Sequence, residues 1–152
     1  MNENLWLMQT ERAVAWLRQV RGWLDPPGCE SSYLSSPVNP RLSCTVGIVH
    51  EHRFAFYYWA LFTVERITRH KAILPTPPAL VSIDYHDDVG ADSDVNPQEL
   101  KALDLSDRTA LALFTWARLC SLNDGQIAPA LYLDMFSKAY VLLKQSQDMT
   151  RM

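Results

Sequence analysis

The chain has 152 residues, 48% of them hydrophobic and 20% charged, with 14 Lys+Arg against 17 Asp+Glu and a net charge of -3. Such a chain suits one domain with a sizeable core, to which five Trp, six Tyr and five Phe contribute. The acidic balance argues against the basic surface of a nucleic-acid or anionic-membrane binder, so neither nucleic acid nor membrane is expected as a partner.

Met1-Asn2-Glu3-Asn4 is polar, and Gln9, Glu11, Arg12 and Arg18 interrupt the apolar residues after it, which is not the pattern of a signal peptide. No apolar run approaches the roughly 18 residues of a spanning helix. Cys29, Cys44 and Cys120 are odd in number and scattered, and predict reduced thiols at core or loop positions. The expected location is the cytoplasm.

Residues 5–24 carry Trp6, Ala13, Leu17, Val20 and Leu24 at helical spacing, with Trp16 and Trp23 widening the apolar face. This predicts an amphipathic helix packed on a core, stopped by Asp25-Pro26-Pro27-Gly28. The Pro/Ser/Asn-rich residues 25–41 read as a loop. Residues 44–49 are a β-branched strand candidate that delivers His50-Glu51-His52. Residues 54–70 form an aromatic helix, apolar on more than one face and therefore expected to be buried between other elements. Pro75, Pro77 and Pro78 lead into a strand over 79–83. A short helix is predicted over 97–103, and a longer one over 107–121 with Ser106 as its N-cap. A helix over 126–136 and a third strand over 139–143 come next, then a polar tail from Lys144. The Trp and Tyr side chains are expected mostly in the core, and His70 at an exposed basic helix end.

The alternation predicts an α/β fold of three layers around a mostly parallel sheet, with about three strands and four to five helices. Residues 1–152 form a single domain: helix and loop over 1–41, core over 44–143, tail over 144–152. In such sheets, ligands sit beyond the carboxyl ends of the strands. Both polar clusters, His50-Glu51-His52 and Asp84-Tyr85-His86-Asp87-Asp88, fall there.

Asp84, His86 and Asp88 stand at i, i+2 and i+4, so in extended chain they project from one face. Acids this close repel one another unless a cation sits among them, and mixed oxygen and nitrogen donors suit a hard or borderline divalent ion. Asp87 falls out of phase, and Gly90 lets the backbone turn close to the site. A solvated turn after a strand is the competing reading of these acids. A capping or packing role competes for His50 and His52.

The Asp84-Tyr85-His86-Asp87-Asp88 run resembles the Asp-x-His-x-Asp motif of the arginase and ureohydrolase superfamily, which binds a pair of manganese ions. Three blocks together resemble the peptide arginase family of ribosomal-peptide maturation. They are residues 49–59, residues 82–88, and the run Asn123-Asp124-Gly125-Gln126-Ile127-Ala128-Pro129-Ala130-Leu131-Tyr132. The resemblance covers roughly residues 44–143. Where the family has Glu-Glu-His this chain has His50, Glu51 and His52, which favours His52 as the ligand.

The resemblance implies a metal-dependent hydrolase of a guanidinium C–N bond, converting peptidyl-arginine to ornithine plus urea. Its substrate would be an arginine-containing peptide or a small guanidine. It implies His52, Asp84, His86 and Asp88 as manganese ligands, with Asp84 and His86 carrying the chemistry. Glu51, Asp92 and Asp94 are candidates for attracting the cationic substrate, or else plain solvated acids. The superfamily completes its site with an Asp-x-Asp pair after a later strand, and nothing from Lys144 to Met152 supplies one. The chain is therefore expected to be the N-terminal half of a larger enzyme. The alternatives are a non-catalytic metal-binding or interaction half-domain, and an agmatinase-like hydrolase.

Overall fold

The computed structural model describes residues 29–35, 39, 43–70, 76–84, 95–119 and 125–143. The helix expected over 5–24 and the tail from 144 lie outside them. Within them the chain is mixed α/β: two two-stranded sheets and four α-helices.

Strand β1 (Cys29–Ser35) pairs antiparallel with β2 (Ser43–Val49), from Cys29↔Val49 to Ser35↔Ser43. The loop expected over 25–41 is thus corrected at 29–35. Its serines and flanking prolines look like turn chemistry, yet a strand needs only main-chain donors and acceptors opposite it, and β2 supplies them. The strand at 44–49 correspondingly belongs to this antiparallel pair and not to the parallel sheet. Gly47 allows β2 to approach the following helix closely, because a Cβ there would lie 2.9 Å from the Tyr58 ring.

A 3-10 turn (His52–Phe54) leads into α1 (Ala55–Arg69). Phe56, Tyr57, Ala60 and Thr63 are buried, whereas Phe62 and Ile67 are exposed. The expectation of a helix buried on most sides therefore holds for its amino-terminal turns only. Arg69 pairs with Glu65 one turn back on the outer face.

Strand β3 (Ala79–Asp84) runs parallel to β4 (Lys138–Leu143), in register from Ala79↔Lys138 to Asp84↔Leu143. A parallel pair needs a long crossover. Here the connection holds α2 (Pro97–Ala102), α3 (Arg108–Ala117) and α4 (Ile127–Tyr132). At the entry to the pair, the Ser137 backbone N–H donates to the Pro78 carbonyl at 2.9 Å.

Each helix start has a local cause. Asn96 caps α2 by accepting from the Gln98 N–H, with Pro97 in the first turn. Asp107, not Ser106, caps α3, accepting from Thr109 and Ala110 N–H at 3.0 Å each. Ser106 instead donates its hydroxyl and N–H to Asp104 Oδ1, which holds the Asp104 carboxyl below its ordinary pKa. Helix α4 stops at Tyr132, shorter than the expected span to 136, because Asp134 takes φ 53 and the Met135 N–H turns back to the Ala130 carbonyl.

The core lies where α1 meets α3 and α4, with Val95, Leu100, Met135 and Phe136 around them. Phe56 and Phe114 rings stand 5.7 Å apart, and Trp59 meets Phe136 edge-on at 5.2 Å. Tyr132 and Tyr140 are exposed, against the expectation that the tyrosines are mostly core. Arg118 forks onto both Glu99 oxygens at 2.8 and 2.9 Å, tying α2 to the end of α3. No helix among the described residues is long and apolar enough to cross a membrane.

Replacing the cap, Asp107→Ala, is expected to cost about 1 kcal/mol in urea denaturation. The Asp104 contact carries its own sign. A depressed carboxyl pKa means stability that is present above the ordinary carboxylate value and lost as pH falls through the lowered one. Ser106→Ala is therefore expected to move the Asp104 titration upward, toward the ordinary value, as read by carboxyl-carbon NMR.

Candidate metal centre

The two polar clusters picked out by residue type meet through one side chain each. Strand β2 ends at Val49, and the chain passes His50 and Glu51 before tightening into the 3-10 turn, where the Phe54 N–H donates to the Glu51 carbonyl at 3.0 Å. The turn sends successive side chains in opposite directions. Arg53 is buried, 4% exposed, while the His52 side chain stays 46% exposed. Asp84 is the last residue of β3, its side chain 22% exposed. His52 Nδ1 lies 3.1 Å from Asp84 Oδ2.

Arg53 holds that turn in place. Its Nη2 pairs with Glu51 Oε2 at 2.6 Å, and its Nη1 donates to the Trp116 carbonyl at 3.0 Å. The guanidinium carbon also sits 5.1 Å from the centre of the Phe54 ring. One side chain thus joins the strand-to-helix corner bearing His52 to the last turn of α3. Arg53 is the residue that sequence reasoning passed over. The available signal was an arginine between His52 and an aromatic helix start, a place where a solvated charge would sit poorly.

At 3.1 Å the imidazole and the carboxylate stand within hydrogen-bond distance of each other, a separation that two ligands of one ion would also have. Two ligands about 2.1 Å from one ion and at right angles lie about 3.0 Å apart. An imidazole nitrogen with a carboxylate oxygen suits borderline divalent ions of the first transition row. Partial exposure of both side chains leaves the pair reachable from solvent.

His86 and Asp88, the other expected ligands, lie outside the described residues, as do Asp87, Gly90, Asp92, Asp94 and Asp124. Among the described residues no group of three His, Cys, Asp or Glu side chains comes together. Glu51 gives its carboxylate to Arg53, so its charge is matched by the protein's own cation. His50 is exposed beside the turn, and His70 is exposed after the end of α1. Cys44 is an exposed free thiol. Gln126 is 2% exposed, and its Oε1 has no hydrogen-bond partner among the described residues.

No protein-family model matches the chain, and no curated protein or solved structure matches it.

Arg53→Ala removes a charge-assisted hydrogen bond and the packing of the side-chain stem, while the half-exposed Glu51 regains water. The expected loss is about 2–3 kcal/mol in chemical denaturation.

Proposed function

We propose that the chain is a manganese-dependent hydrolase of guanidinium C–N bonds, acting on peptidyl-arginine or a small guanidine, with the three-layer architecture of an arginase-like enzyme. The observation that carries this reading is the 3.1 Å approach of His52 Nδ1 to Asp84 Oδ2 at the carboxyl end of a parallel strand. Asp84, picked out by its cluster, and His52, favoured by the resemblance, are 32 positions apart in sequence and neighbours at the end of β3, and ligands of open parallel sheets collect beyond such strand ends.

His52, Asp84, His86 and Asp88 would hold the metal. When bound, the metal supplies Lewis acidity and a lowered pKa for a coordinated water. Asp84 contributes the negative charge that both the metal and a guanidinium substrate require. Arg53 and Glu51 keep His52 at the end of β3, since a ligand displaced by an ångström loses its geometry.

The test is urea release from an arginine-containing peptide and from agmatine, with manganese added, for wild type and Asp84→Ala. Manganese affinity is measured by calorimetry alongside. The expected result is urea from the wild type, and a loss of at least about 100-fold in both activity and affinity in the variant, as for the removal of metal-site partners. Equal urea from both proteins, or none from either, overturns the hydrolase. Tight manganese binding without urea leaves a metal-binding module in its place.

A further inference from the structure

The guanidinium of Arg53 is held as a bound ligand would be. Glu51 Oε2 lies 2.6 Å from Nη2 and carries the opposing charge. The Trp116 carbonyl, in the last turn of α3, accepts from Nη1 at 3.0 Å. The centre of the Phe54 ring stands 5.1 Å from the guanidinium carbon. A carboxylate, a carbonyl and an aromatic ring are the groups that recognise a guanidinium, through charge-assisted bonds and cation–π attraction. The residue is 4% exposed, so water competes little for these contacts.

The shape of the ion matters as much as its charge. A planar fork serves acceptors on separate segments at once, whereas a lysine ammonium is a compact, strongly hydrated point charge. Here the acceptors are Glu51, two residues away, and Trp116, 63 residues away. Glu51 and Arg53 also flank His52 in sequence, and their ion pair closes across it. With its neighbours drawn together on one side, His52 projects on the other, where its Nδ1 lies 3.1 Å from Asp84 Oδ2.

We infer that this corner is a receptor for an alkylguanidinium ion, filled by the chain's own Arg53, and that the bound ion positions His52 against Asp84. Arg53→Ala empties the receptor without removing its walls, and N-ethylguanidinium supplies the atoms that this substitution takes away. Neither the receptor nor the contact depends on a metal or on a hydrolase activity.

The test reads the His52 imidazole nitrogens by long-range proton–nitrogen NMR of the full chain at fixed pH, assigned with His52→Gln. In Arg53→Ala the Nδ1 resonance is expected to move toward its position in Asp84→Asn. Millimolar N-ethylguanidinium, far below the molar range in which guanidinium denatures, is expected to return it saturably to the wild-type position. Wild type is expected not to respond, because its receptor is full. Adding Glu51→Gln to Arg53→Ala is expected to abolish the return, and tetramethylammonium is expected to produce none. An unmoved resonance in Arg53→Ala, no return on titration, or the same response in wild type overturns the inference. If Arg53→Ala does not fold, Arg53→Lys decides, since it keeps the charge and loses the fork. A displaced His52 resonance is then the expected result, and one at the wild-type position overturns the inference.

Discussion

A charged side chain buried to 4% exposure has to be neutralised, and Arg53 organises the corner around it. Glu51 neutralises it, the Trp116 carbonyl accepts from it, and the Phe54 ring lies within cation–π distance. These contacts come from the turn itself and from the end of α3, 63 residues away. Once they are made, the direction of the 3-10 turn is set, and with it the exposure of His52. Burying arginine is costly, and the geometry that offsets the cost also fixes where the neighbouring imidazole points.

The meeting of the His52 turn with β3 links two parts of the molecule that form separate sheets. The β1–β2 hairpin reaches α1 through the bare backbone of Gly47, and α1 in turn packs on α3 and α4 through Phe56, Tyr57 and Ala60. The parallel pair closes on the same core from the side of Leu80. Rigid packing on both flanks therefore holds His52 and Asp84 together. A candidate ligand pair supported this way keeps its spacing when solvent or a ligand competes for it.

Local chemistry governs the helix ends throughout. Asn96 and Asp107 satisfy first-turn N–H groups, and Asp134 accepts a left-handed backbone to end α4. The displacement of the α3 cap from Ser106 to Asp107 has a simple cause. Both residues are good caps, and Ser106 is already committed to the Asp104 carboxylate within a tight turn.

By itself the sequence determined what short-range patterns can encode. The strands near 44–49, 79–83 and 139–143 and the aromatic helix from residue 55 are periodic enough to be read directly, because side-chain spacing and backbone period must agree. Asp84 was legible as a ligand candidate from residue type and its place after a strand, whereas His52 stood out from His50 only through the family resemblance. Only the tertiary structure decided the rest, since pairing is a property of two segments at once. The serine-rich residues 29–35 became a strand because β2 lies opposite them. Arg53 became an anchor because Trp116 came near it. Which face of β3 is buried was settled by the core that Leu80 reaches. The adjacency of His52 and Asp84 depends on contacts dozens of residues apart, and no local pattern carries that information.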